Sequence, residues 1–421
     1  MQSPSHAYRL NLNRQPNSPC ECAYFWQATR NRPLKSITIK DIQLHVVSLP
    51  YVEPLRTSFG VEPDKAAVLV ELTTDTGVTG WGEAPIEVRP GYGSETVITA
   101  MHVLDEFIIP RLNGQTIESP FEVPALLKSI RGHNFAKCGM ETAVWDAFAR
   151  TNDMRLADCF AAYLPAGHES RNVATVGVSI GIQPTIEDTV AIIQKRLNQG
   201  YQRIKLKIKR GWDVELARGI RAALPDITLM LDANSDYTLA DADHLAQLDD
   251  FNLLMIEQPL AYNDIYEHSK LQAQLKTPIC LDESVKNVND LKLALEIGAC
   301  KILNLKPARV GGYVESLKIY NLCVETGTPL WIGGMLETGV GRAANTAFAS
   351  LPGVTLPCDI SATDRYFDPD ITEPPFVLGP DSTLAVPDGA GSGVEVQTDR
   401  LADAKARWQA TYPYKQSEAI S

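Results

Sequence analysis

From about residue 168 onward one rhythm holds: short apolar runs alternate with longer amphipathic stretches, eight times over. The runs are VATVGVSIGI, RIKLKIK, TLMLDAN, LLMIEQP, PICLDES, KILNLKP, PLWIGG and TLPCDI. Between them lie segments of helical period such as TIEDTVAIIQKRLNQG, VNDLKLALEIGA and YVESLKIYNLCVETG. A short run that is apolar on both faces suits a parallel strand covered on both sides, and an amphipathic run suits the helix that crosses back. Eight such steps make a (β/α)8 barrel over 168–395. A doubly wound sheet is the competing architecture, but it more often uses fewer strands.

The whole chain has 421 residues, beyond the roughly 250–300 at which one core stops growing, so a second domain is expected. It precedes the barrel. ITIKDIQLHVVSL alternates like a strand, and AAVLVELTTDTGVTGWGEA reads as a hairpin turning at Asp75-Thr76-Gly77. SETVITAMHVLDEFIIPRL and METAVWDAFARTND then carry a helical period. Strands followed by a block of helices imply an α+β capping domain over 36–160. Residues 1–34 are rich in Asn, Arg, Pro and Ser with one apolar cluster at 24–26, and read as a disordered tail. Cys20-Glu21-Cys22 has no second Cys/His pair nearby, which argues against a metal or redox site there. Residues 396–421 form a C-terminal segment.

Lys and Arg number 39 against 51 Asp and Glu, a net charge of −12. Such a balance argues against a nucleic-acid binder, which would need a basic face to neutralise phosphates. No run of 18 apolar residues exists to span a membrane, and the polar N-terminus lacks the apolar core of a signal peptide. The eight cysteines are scattered, mostly within apolar stretches, as buried reduced thiols of a cytoplasmic protein would be.

In such barrels reactive side chains sit at the C-terminal ends of strands. Those ends here carry Lys205 and Lys207, then Asp232, Glu257, Asp282 and Lys306. From Lys207 onward these residues are 25, 25, 25 and 24 apart, one strand–helix unit each, so they should share one depth at the rim. Strand alternation turns Lys205 and Lys207 to one face and Ile204, Leu206 and Ile208 to the other. Asn234 and Asn304 lie two residues from Asp232 and Lys306 and should share the interior. Three carboxylates without His or Cys suit a hard cation, Mg2+ or another divalent ion such as Mn2+. Lysines on strands two and six face each other across a ring of eight. The pairing of Lys205 with Lys207 should depress a lysine pKa and ready it as a base. A cation beside bases on opposite faces implies abstraction of a proton α to a carboxylate, on a small-molecule substrate. Gly339-Val340-Gly341-Arg342-Ala343-Ala344 also fits a dinucleotide fingerprint, but it follows strand seven, where barrels commonly form an anion-binding loop. His244 and His268 lie in helical segments, where a surface or satisfied role is expected.

K-L-K at 205–207, LDAN at 231–234, IEQP at 256–259, LDES at 281–284 and NLKP at 304–307 together resemble the enolase superfamily, in its muconate-lactonizing subgroup. That superfamily is known for Lys or His bases acting with Mg2+. The resemblance covers about 36–395, and the lack of a His on strand seven sets the chain apart from the mandelate racemase subgroup. GVSIGI, RIKLKIKRGWDVE, GGMLETGVGR and LPCDISATDRYF look like the o-succinylbenzoate synthases that also racemise N-acylamino acids. The resemblance implies Lys207 and Lys306 as the acid/base pair, with Lys205 assisting the substrate carboxylate. It implies Asp232, Glu257 and Asp282 as Mg2+ ligands, and Ser179, Asn234 and Asn304 as substrate contacts. The implied reactions are dehydration to o-succinylbenzoate, in menaquinone biosynthesis, and racemisation of N-succinylamino acids. Muconate cycloisomerase and dipeptide epimerase are the alternatives within the subgroup, and a non-catalytic metabolite-binding barrel the alternative outside it. Dipeptide epimerases usually carry Asp-x-Asp on the last strand, where this chain has Asp359-Ile360-Ser361. Loops at 57–60 and 90–93 are expected to close over the substrate. Assembly as a homo-oligomer is compatible with this reading.

Overall fold

A computed structural model describes residues 34–57, 60–164 and 169–411. Residues 1–33 with Cys20 and Cys22, residues 58–59, residues 165–168 and residues 412–421 lie outside the described residues. The expectations of a disordered tail and of a closing loop at 57–60 therefore fall largely outside them.

The first domain is built on a meander. β1 (Ile37–Thr57) pairs antiparallel with β2 (Gly60–Thr74), which pairs with β3 (Thr79–Ala84) through the turn read at 75–77. Gly77 supplies the left-handed conformation (φ +83°) that this turn needs. The sheet lies on helix α1 (Asn134–Thr151) at backbone contact. A Cβ on Gly82 would meet the carbonyl oxygen of Gly139 at 2.0 Å, so the two glycines permit the approach. Trp145 of α1 is fully buried, with Phe160 edge-on at 5.0 Å.

The second domain is the barrel. Strands β4 (Val178–Ile180), β5 (Arg203–Lys207), β6 (Thr228–Asp232), β7 (Ile256–Glu257), β8 (Ile279–Leu281), β9 (Ile302–Leu305) and β10 (Leu330–Ile332) are parallel neighbours in chain order. The eighth apolar run forms no extended ladder, but it closes the ring. On one side Leu356 N donates to Leu330 O (3.2 Å) and Asp359 N to Ile332 O (2.9 Å). On the other, Cys358 N donates to Thr175 O (2.9 Å) and Gly177 N to Cys358 O (2.7 Å). The 25-residue spacing reappears as register: Lys207 lies opposite Asp232, and Asp232 opposite Glu257. Ile204, Leu206, Leu229 and Leu231 are buried, as the outward face of strands covered by helices requires. Amphipathic helix α2 (Ile186–Asn198) opens on Thr185, whose hydroxyl accepts from Asp188 N at 3.0 Å.

Two joints tie the domains together. The C-terminal helix Thr398–Thr411 returns to the cap, where Leu401 and Ala404 pack with Val47, Leu49 and Phe367. At the other joint, Glu83 near the end of β3 reaches the start of helix α3 (Gly339–Ala349). It accepts from Thr338 N (3.1 Å), Thr338 Oγ1 (2.7 Å) and Gly341 N (2.9 Å), while Asp370 accepts from Gly339 N (3.0 Å). The glycine-rich turn that fits a dinucleotide fingerprint thus spends these amides on the protein's own carboxylates. The six described cysteines are buried and unpaired. Among the described residues no helix is long and apolar enough to cross a membrane.

Candidate active site

The charged series converges at the barrel mouth. Lys205 Nζ stands 2.9 Å from Asp232 Oδ2, 2.6 Å from Glu257 Oε2 and 3.1 Å from Asp359 Oδ2. Lys207 Nζ reaches the same Asp232 oxygen at 2.6 Å and Asn234 Oδ1 at 2.5 Å. From β9, four strands away, Lys306 Nζ lies 2.9 Å from Asp282 Oδ2 and donates to Tyr92 Oη at 3.1 Å. Tyr92 comes from the cap loop 90–93, expected to close over the site; its hydroxyl donates to Asp282 Oδ1 at 2.9 Å, and its ring centroid is 4.2 Å from Lys306 Nζ. Arg309 also pairs with Asp282.

A cavity of about 110 Å3 opens here, lined by Lys205, Lys207, Lys306, Asn234, Ser179 and Tyr92 among others. Asn304 departs from the expectation. It does not line the cavity but is fully buried below it, donating Nδ2 to Glu257 Oε1 at 2.7 Å. Alternation set its face correctly, but two residues back along a strand is also one pleat deeper. His268 and His244 play the satisfied roles expected: His268 Nε2 accepts from Leu260 N at 3.1 Å, and His244 Nε2 lies 3.0 Å from Asp213 Oδ2. A larger cleft of about 430 Å3, between residues such as Leu127 and Lys286, lies apart from this chemistry.

For Lys205 the electrostatics run against the expected depression. Burial by itself would lower the pKa of Lys205, as a neighbouring lysine would, but Asp232, Glu257 and Asp359 outweigh both and hold it well above the usual value. Lys306 is likewise raised, burial being overcome by Asp282. Burial would raise Asp232, yet Lys205 and Lys207 hold it well below the carboxylate range. Glu257 is pushed up to about 7 by burial and by the charges of Asp232 and Asp282. The nearest charges to a barrel lysine come from adjacent strands, and here they are negative.

Among the described residues no three His, Cys, Asp or Glu side chains stand together as a ready metal site. The reason is visible: lysine ammonium groups bridge the carboxylates that were expected to be ligands. The donor chemistry nevertheless fits a hard divalent cation. Asp232, Glu257 and Asp282 are all buried carboxylates on adjacent strands. A fourth, Glu283, accepts from Asn234 Nδ2 at 3.2 Å through Oε1, while its Oε2 is buried with no hydrogen-bond partner. A buried carboxylate oxygen without a partner is costly, and a cation held beside it would offset that cost. Gln258 braces the set, accepting from Asp282 N (3.0 Å) and donating to Ser284 Oγ (2.6 Å).

Sequence reasoning missed Glu283, Arg309, Tyr92 as a direct contact, and the grip of Asp359 on Lys205. Glu283 stood in the quoted LDES motif and Arg309 three residues after Lys306, so adjacency was the available signal. Asp359 is itself anchored by Arg203 Nη2 at 2.7 Å.

Comparison with known proteins identifies the family of the chain. Residues 188–400 match the family described as enolase C-terminal domain-like, and residues 41–160 match the mandelate racemase / muconate lactonizing enzyme N-terminal domain. The chain is similar to an o-succinylbenzoate synthase of Geobacillus kaustophilus, 44% identical over 361 residues, or 86% of this chain and 94% of that protein. It is also similar to an N-succinylamino acid racemase of Thermus thermophilus, 42% identical over 359 residues, or 85% of this chain and 95% of that one. A solved enolase-superfamily member from Enterococcus faecalis shares 41% identity at a TM-score of 0.81, covering 88% of this chain and 98% of its own.

Proposed function

Since the chain belongs to the enolase superfamily, and is an enzyme like the o-succinylbenzoate synthases and N-succinylamino acid racemases it matches, we propose that it removes a proton α to a carboxylate. The product is o-succinylbenzoate by loss of water, the opposite enantiomer of an N-succinylamino acid, or both. The observation that carries this reading is the placement of Lys207 and Lys306 on opposite walls of one cavity.

In this mechanism the substrate carboxylate lies beside Lys205, whose fixed positive charge orients it. Lys207 or Lys306, as the neutral amine, takes the α-proton from its own face. Racemisation follows when the other lysine, as ammonium, returns a proton to the opposite face. Dehydration needs a base on a single face, and we assign Lys207: its amine takes the α-proton, and the ammonium so formed returns a proton to the departing hydroxyl, which leaves as water. Asn234 and Ser179 contact the substrate, and Tyr92 with its loop excludes water, which strengthens every charge interaction inside. Asp232, Glu257 and Asp282 would hold the divalent cation, Mg2+ in this reading, which when bound supplies Lewis-acid stabilisation of negative charge on the substrate carboxylate. Residues 36–160 act as the cap and 168–395 as the catalytic barrel, with 1–34 dispensable for turnover.

Dipeptide epimerisation has little support. Asp359 is engaged by Arg203 and Lys205, and Ser361, two residues on, offers no second carboxylate for an amino group. Assay of the purified protein with Mg2+ against both substrate types tests the proposal. Failure to exchange the α-hydrogen of any N-succinylamino acid, together with failure to form o-succinylbenzoate, would refute it.

A further inference from the structure

The lysines of the cavity each rest on a nearby carboxylate, but Arg365, which lines the same cavity, does not share that balance. Its side chain is only 9% exposed, and its Nε is buried with no hydrogen-bond partner. Its Nη1 is 3.5 Å from Glu53 Oε2, a long contact, and its Nη2 reaches Ser179 O at 3.4 Å. Glu53 is already held at 2.5 Å by Arg196 and at 2.8 Å by Lys195, so one carboxylate serves three cations. The Tyr366 ring, its centroid 5.3 Å from the guanidinium carbon, supports the group without neutralising it. A cation taken out of water without a close partner is costly unless something else pairs with it.

Position indicates what that partner is. Arg365 touches β4 at Ser179, which lies in register with Lys205 on β5, whereas Asp232, Glu257 and Asp282 belong to β6 to β8, and Asp359, which also lines the cavity, is already taken up by Arg203 and Lys205. Arg365 therefore adds positive charge at the side of the cavity away from Asp232, Glu257 and Asp282. A guanidinium presents a planar fork of N–H donors that matches a carboxylate. We infer that Arg365 is a specificity-determining residue that pairs with a second, remote carboxylate of the substrate, so that the site selects acyl groups ending in an acid. This rests on the proposed function and assigns a residue to the succinyl end of its substrates.

The test compares N-succinyl- and N-butyryl-phenylalanine, which differ at the acyl end by carboxylate against methyl. The wild-type enzyme should favour the succinyl compound. A hydrogen-bonded charge pair is typically worth about 10- to 100-fold, so Arg365→Met should shrink the ratio of kcat/KM values by at least about tenfold, chiefly through KM. Arg365→Lys, which keeps the charge but not the fork, should recover part of it. Should Arg365→Met fail to fold, Arg365→Gln takes its place, because Glu53 keeps two cations in either variant. Calorimetric titration with each compound should show the same change in preference without turnover. An unchanged ratio in a folded variant overturns the role of Arg365 while leaving the proton chemistry intact. A wild-type enzyme that turns over neither compound nor forms o-succinylbenzoate overturns the functional reading itself.

Discussion

Lys207 and Lys306 stand four strands apart in the barrel, and each leans on a different carboxylate: Lys207 Nζ lies 2.6 Å from Asp232 Oδ2, and Lys306 Nζ 2.9 Å from Asp282 Oδ2. The two ammonium groups thus approach the cavity from separate walls, each with its own support. One can be removed without collapsing the other's anchor.

Replacing either lysine by Ala should abolish racemisation, since the proton must leave one face and return to the other. A positioned acid or base contributes about 10²- to 10⁴-fold, so residual rate is a poor readout, and exchange in D2O is the better one. With an N-succinylamino acid, Lys207→Ala should exchange the α-hydrogen of one enantiomer only, and Lys306→Ala that of the other. Equal exchange of both enantiomers by either variant would rule out the two-face mechanism.

Turnover should require a divalent cation. Chelation should abolish activity and Mg2+ restore it, and full activity in protein shown to be metal-free would defeat the carboxylate site. A readout independent of turnover is available: Mg2+ at about 100 times its Kd should add about 2.7 kcal/mol to the stability of the folded chain. Asp232→Asn and Glu257→Gln should weaken that gain, measured by denaturant unfolding with and without Mg2+.

Tyr92→Phe keeps the ring over Lys306 but removes the hydroxyl that links Lys306 to Asp282. Hydrogen bonds to charged groups contribute about 1.5–3 kcal/mol, so exchange at the face served by Lys306 should slow by about 10- to 100-fold. Exchange at the Lys207 face should slow much less. Equal losses at both faces would show that Tyr92 acts only as a lid.

Glu141 makes a pH prediction away from the catalytic lysines. It is buried in α1, accepting from Val314 N at 2.8 Å and Trp145 Nε1 at 3.3 Å, and burial pushes its pKa from 4.5 up to about 7. Between those values the folded chain holds a proton that the unfolded chain has lost, so this group's contribution to stability falls as pH rises through that window. Glu141→Gln removes the dependence. The melting temperature of the variant relative to wild type should therefore climb from about pH 5 to about pH 8. A constant offset across that range would contradict the assignment.

The barrel was legible because its repeat makes depth countable: residues one strand–helix unit apart become cross-strand partners, as Lys207, Asp232 and Glu257 do. What that counting could not supply came from elsewhere. Tyr92 is 190 residues from Asp282 in the chain, and only the docking of the cap brings the two together. Glu283 should face away from Asp282 by strand alternation, but β8 ends at Leu281, and beyond it the alternation no longer governs direction. The upward shift of Lys205 is not legible in the sequence because the flanking lysine is visible there, while the carboxylates that outweigh it lie on other strands.

The grip of Glu83 on the amides of Thr338 and Gly341 also limits how the two domains can be recombined. A crossover that joined this cap to a foreign barrel would separate the carboxylate from the helix start that receives it, leaving a buried acid on one side and bare amides on the other. Exchange of caps between relatives should succeed only when both halves of that contact travel together.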